Sequence, residues 1–128
     1  MSDDLDQIYS IDTFHADHRI RITFSYQGVD DEDIPEEANF VLVASVGEHS
    51  ANVTFTIGLM TGALSIVGLD PADPLVKCLV ACGVGASVGA LIDCRTSDIK
   101  KFIKCLKKKG ISIAGAALTC ALQCFINP

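Results

Sequence analysis

Six cysteines, Cys78, Cys82, Cys94, Cys105, Cys120 and Cys124, fall within 47 residues and are the side chains best placed to do chemistry. Three chemistries are open to such a set: covalent cross-linking, metal ligation, or free thiol reactivity. The density favours a disulfide framework formed in an oxidising compartment. Cys78 and Cys124, and likewise Cys82 and Cys120, are placed symmetrically about Lys101, and Cys94 and Cys105 nearly so. On two antiparallel helices, residues at mirrored positions face each other, and residues four apart share one helix face. Six cysteines allow 15 connectivities. The symmetry selects the nested one: Cys78 with Cys124, Cys82 with Cys120, and Cys94 with Cys105.

Other reactive groupings are sparse. His15 and His18 could share a metal site, but two histidines beside a strand read more naturally as exposed polar residues, so no metal ligand is assigned. No nucleophile elbow, phosphate loop or zinc-protease motif is present. Cys78 and Cys82 have three intervening residues where a redox pair has two. The sequence therefore predicts a protein that is not an enzyme and needs no cofactor. A net charge of −6 also argues against nucleic acid as a partner.

The elements that must hold the cysteines follow from a sharp change of composition. Residues 1 to 70 carry two basic and 13 acidic groups, a net of −11, whereas residues 71 to 128 carry eight basic and three acidic, a net of +5. Two parts are expected, an acidic β-rich leader or masking domain at 1–70 and a cationic cysteine-rich helical domain at 71–128. The first dozen residues, rich in aspartate, read as a flexible arm. From Arg19 to Tyr26, Ile20, Ile22, Phe24 and Tyr26 alternate with polar residues, as in a half-buried strand. Residues 28 to 38 are acidic and read as a loop, and 39–46 and 51–57 as a hairpin with a longer turn over Gly47 to Ser50. Gly58 to Leu69 fits either period.

Asp70, Pro71, Ala72, Asp73 and Pro74 form a break, with Asp73 as N-cap and Pro74 at the first position of a helix reaching about Asp93. From Thr96 to Lys109, Ile99, Phe102, Ile103 and Leu106 make an apolar stripe, opposite Lys100, Lys101, Lys104, Lys107 and Lys108. Ser97 can cap this helix, Asp98 suits its start, and Gly110 can end it. An uncharged helix from Ile111 to about Ile126 closes the chain. The fold class expected is α+β: a small antiparallel sheet followed by a disulfide-stapled helical hairpin with a short amphipathic cap helix.

Three stretches lack charge: Ser50 to Leu69, Cys78 to Ile92, and Gly110 to Pro128. The first and third approach the length needed to span a bilayer, yet buried elements of a small globule account for them better. Gly58 with Gly62, and Gly85 with Gly89, have the spacing that lets helices approach closely. No secretion signal is visible in the acidic first residues, so export is expected by another route or from a longer precursor.

The nested cysteines on helices resemble those of saposin-like proteins, which also leave about ten residues between the middle pair. That resemblance implies action on lipids and membranes. Residues 78 to 124, rich in glycine, alanine and cysteine and preceded by a separate amino-terminal region, also resemble halocin-type bacteriocin precursors, which implies a secreted antimicrobial peptide. The function expected is a precursor of a membrane-active, bacteriocin-like peptide whose acidic part restrains the cationic part. The predicted membrane-contact set is Lys100, Lys101, Lys104, Lys107, Lys108 and Phe102. Anionic membrane lipids and a processing protease are the expected partners. The alternative is an uncleaved binding or structural module built on the stapled hairpin.

Overall fold

A computed structural model describes residues 5–27, 37–69, 73–96 and 98–126. Five strands, β1 (Leu5–His15), β2 (His18–Gln27), β3 (Glu37–Val46), β4 (His49–Gly58) and β5 (Leu64–Leu69), are followed by helices α1 (Pro74–Cys94), α2 (Ile99–Lys108) and α3 (Gly110–Ile126). The strands form one antiparallel sheet in sequence order, β1-β2-β3-β4-β5. The α+β class, the antiparallel sheet and the stapled helices all stand as the sequence predicted.

The alternation in β2 and β3 sets which face is covered. Ile20, Ile22, Phe24, Phe40, Leu42, Ala44, Val53 and Phe55 are fully buried and form the face on which the helices lie. The other face carries Ser10, Asp12, Arg19, Arg21 and Thr23, as expected for a sheet with one side in water. There Asp12 accepts from Arg19 Nε at 2.8 Å and from Arg21 at 3.1 Å, and these guanidiniums hold its carboxyl well below the usual range. Phe24 stacks on Tyr9, Phe40 and Phe55, with ring centroids 5.0 to 5.7 Å apart. Phe102 of α2 meets Phe40 edge-on at 6.0 Å, tying the helical layer into the same aromatic cluster.

Several local expectations are corrected. β1 begins at Leu5, within the stretch expected to be a flexible arm. Ile8, Tyr9 and Ile11 bury enough apolar surface there to outweigh the aspartates, and an irregularity between Gln7 and Tyr9 hides their alternation. Two hairpins turn on two residues: Ala16 and Asp17 join β1 to β2, and Gly47 and Glu48 replace the longer turn expected between β3 and β4. Ala16 and Gly47 have φ of 57° and 61°, the left-handed geometry such turns demand. The undecided segment 58–69 resolves into a turn and the edge strand β5. Gly58 and Gly62 flank that turn, where Gly62 has φ of 77°, and do not form a helix contact.

Of the stretch 28–38 expected as a loop, Glu37 and Ala38 belong to β3, where they pair with Gly58 and Ile57; residues 28–36, 70–72, Ser97, and Asn127 with Pro128 lie outside the described residues. Asp73 caps α1 as expected, its carboxylate accepting from Leu75 N at 2.8 Å, with Pro74 in the first turn. The cap of α2 is Asp98, which accepts from Lys100 N at 3.0 Å and from Lys101 N at 3.4 Å. Gly110 does not end α2. Lys109 is its C-cap, and Gly110 opens α3 after a bend of 57°.

Candidate membrane-active surface

The three bridges are Cys78–Cys124, Cys82–Cys120 and Cys94–Cys105, the nested set read from the symmetry. Their Cα–Cα separations are 6.0, 5.6 and 5.7 Å, within the range that a disulfide spans. Two bridges lock α1 against α3, and the third fastens the end of α1 to α2. Cys82 and Cys124 are buried and Cys120 is exposed. No bridge reaches the sheet.

The helical layer is held to the sheet by packing, by a buried polar joint at Tyr9 and, at the surface, by Arg95 donating to the Thr61 carbonyl at 3.4 Å. Val76, Leu79, Leu91, Phe102, Leu106, Ile113 and Ala117 turn inward and are nearly or fully buried. Tyr9 of β1 donates to the Gly83 carbonyl at 3.4 Å, and Ser87 donates to the same oxygen at 2.8 Å. Burial pushes the Tyr9 hydroxyl up to about 12, with the neighbouring Ser87 hydroxyl opposing the shift. A neutral phenol is therefore built into the joint. At one end His15 and His18 both lean on Phe125, with ring centroids 4.6 and 5.8 Å away. His18 also lines an open cleft of about 510 Å³ with Glu48, His49 and Asp73.

The outward side of this layer is nearly free of charge. On α1 the exposed positions include Lys77, Ala81, Gly85 and Gly89, four apart and so on one face. On α3 they include Ile111, Gly115, Ala116 and Thr119, with Ile111 90% and Ile126 81% exposed. A side chain built at Gly85, Gly89 or Gly115 would meet open space, so the glycine spacing expected to mark a helix contact points away from the fold. Charges sit at the margins: Lys77 near the start of α1, and Asp93 near its end, 3.8 Å from Lys109. The small size of these outward residues could have been read from the sequence, but α1 is apolar on every side, and periodicity could not say which face was covered.

Lys100, Lys101, Lys104, Lys107 and Lys108 all stand exposed on α2. Phe102 is fully buried against Phe40 and does not join them at the surface. In the folded chain it is a core residue. α1 is long and apolar enough to cross a membrane, although 44% of that window is buried within the protein. Among the described residues, the group of metal-ligating side chains whose ligand atoms lie within 4.8 Å of one another is Cys78, Cys82 and Cys124. His15 and His18 do not form such a group.

These features define an antiparallel sheet carrying a covalently closed helical layer, with a cationic short helix beside an uncharged outer face. Compared with protein-family models, curated proteins and solved structures, the chain matches none. The three bridges fit an oxidising environment.

Proposed function

We propose that the chain is the precursor of a secreted, membrane-active, bacteriocin-like peptide, in which the acidic sheet restrains the cationic helical part. The observation that carries this reading is the confinement of all three disulfides to residues 78–124, so that the helices form one covalent unit and the sheet adheres through non-covalent contacts. A cut at 70–72 leaves every bridge intact. The released part bears a net +5, with five lysines on one helix, and frees the apolar inner face now covered by the sheet. Lysines would draw it to anionic lipid, and the uncovered apolar surface would then insert. The chain acts on membranes without being an enzyme, and a processing protease is its other partner.

A second reading, an uncleaved binding or structural module, is favoured by one observation: Tyr9, Leu42 and Phe40 join the helices to the sheet in a single core. One experiment separates the two. A specific protease site is placed at residues 70–72 of the oxidised chain, and leakage is followed from vesicles with and without anionic lipid. The precursor reading expects leakage of anionic vesicles only after cleavage. Parts that stay associated after cleavage, with no leakage, favour the module.

A further inference from the structure

We propose that Cys78, Cys82, Cys120 and Cys124, when reduced, form a tetrahedral Zn²⁺ site between α1 and α3. The inference is independent of the membrane reading, because it concerns the state of the chain before its bridges close. Cys82 and Cys124 belong to different disulfides, yet their Sγ atoms lie 3.7 Å apart. Neither sulfur carries a proton in the bridged state, so this is a packing contact. Four thiolates at about 2.3 Å around a zinc ion stand roughly 3.8 Å from one another. That pair is already at the edge length of the tetrahedron.

The remaining geometry agrees. The ligand atoms of Cys78, Cys82 and Cys124 all lie within 4.8 Å of one another. Cys120, the fourth ligand, lies outside that group and is one bond from Cys82, so its sulfur has to swing inward once that bond opens. The α-carbons across the helix pair are 6.0 and 5.6 Å apart, and four residues along a helix advance about 6 Å, so the four α-carbons outline a near-square. Once the two S–S bonds open, rotation about side-chain bonds carries each bonded pair outward toward that spacing. All four ligands then come from two packed helices, the rigid placement that a metal centre needs. Cys94 and Cys105 form a separate bridge that fastens α2 to the end of α1.

The chemistry also balances. Two equivalents of a dithiol reductant deliver two electrons and two protons to each disulfide and leave as cyclic disulfides, giving four thiols. Binding of Zn²⁺ then releases four protons and places a net −2 charge between the helices. The surrounding helical part, at net +5, offsets it. Exposed Cys120 gives the reductant access, while buried Cys82 and Cys124 keep competing water out.

The test uses the full chain, reduced anaerobically with a phosphine and titrated with Co²⁺, whose tetrahedral thiolate complexes absorb in the visible. One equivalent per chain is expected to raise that absorption, and Zn²⁺ to abolish it. Cys82→Ser with Cys120→Ser should weaken binding by about 100-fold or more, since loss of outer-shell partners alone costs 10- to 100-fold. Cys94→Ser with Cys105→Ser should leave binding unchanged. Alkylation of the zinc-loaded chain, read by mass spectrometry, should modify Cys94 and Cys105 and spare the other four. Absence of the cobalt band, its survival in the Cys82→Ser, Cys120→Ser chain, or uniform alkylation of all six would overturn the proposal.

Discussion

Gly83 of α1 lies directly over Leu42 of β3: a methyl group built on it would stand 3.1 Å from the Leu42 Cγ and closer still to Cδ1. Leu42 is fully buried, so making room for the methyl means shifting a side chain within a packed core. Gly83→Ala should therefore destabilise the chain by about 1 to 3 kcal/mol through overpacking, despite the better helix propensity of alanine. Gly85→Ala, where the new methyl meets open space, should stabilise by up to about 1 kcal/mol. Chemical denaturation of the two variants checks this, and equal effects would mean that α1 does not sit on β3 this closely.

Tyr9 gives the joint an alkaline limit. Its folded value is about 12 against an ordinary value of 10.0, so between these pH values the unfolded chain has lost a proton that the folded chain retains. Stability falls with rising pH in that window, by about 1.4 kcal/mol per pH unit at most, and levels off above the folded value. Tyr9→Phe should remove this component and flatten the profile. Denaturation midpoints at pH 9, 10 and 11 for both proteins give the comparison.

The bridges should differ in worth according to the loops that they close. Cys94–Cys105 spans 11 residues, whereas Cys82–Cys120 and Cys78–Cys124 span 38 and 46. Loop-closure entropy assigns roughly 3 kcal/mol to the first and roughly 4 kcal/mol to each of the others. Pairwise serine replacements should show that order in thermal midpoints. The Cys94→Ser, Cys105→Ser chain should retain the sheet and the α1–α3 pair.

For membrane attraction, Lys100, Lys101 and Lys104 are the residues to change. Each surface lysine adds about 1 kcal/mol toward anionic lipid, so replacing all three by glutamine in the cleaved protein should weaken vesicle binding by roughly 100-fold. Uncharged vesicles should bind both proteins equally. Sedimentation with vesicles of the two compositions measures the difference.

The cysteine pairing was legible because helix geometry turns sequence spacing into facing positions, and nothing in the sheet interferes. β2 was legible for a similar reason: Ile20, Ile22 and Phe24 keep a strict period of two. β1 was not, since an extra residue near Ile8 breaks the period while Asp6 and Asp12 make the strand look solvated. The apolar face of α2 was correct as a face but incomplete in meaning. Amphipathicity says that Phe102 seeks an apolar partner, and only tertiary structure says that the partner is Phe40. The covered side of α1 was likewise unreadable, because valine, leucine, alanine and glycine surround it evenly and Gly83 is set apart from Gly85 solely by what lies beneath it.

The strand order has a bearing on how the chain is made. Because each strand pairs with its neighbour in sequence, the sheet can zip up from β1 to β5 as it leaves the ribosome, without waiting for anything downstream. Its greasy side is then a ready-made template when α1, α2 and α3 emerge. The apolar helices are thus synthesised last, onto a surface already shaped to receive them.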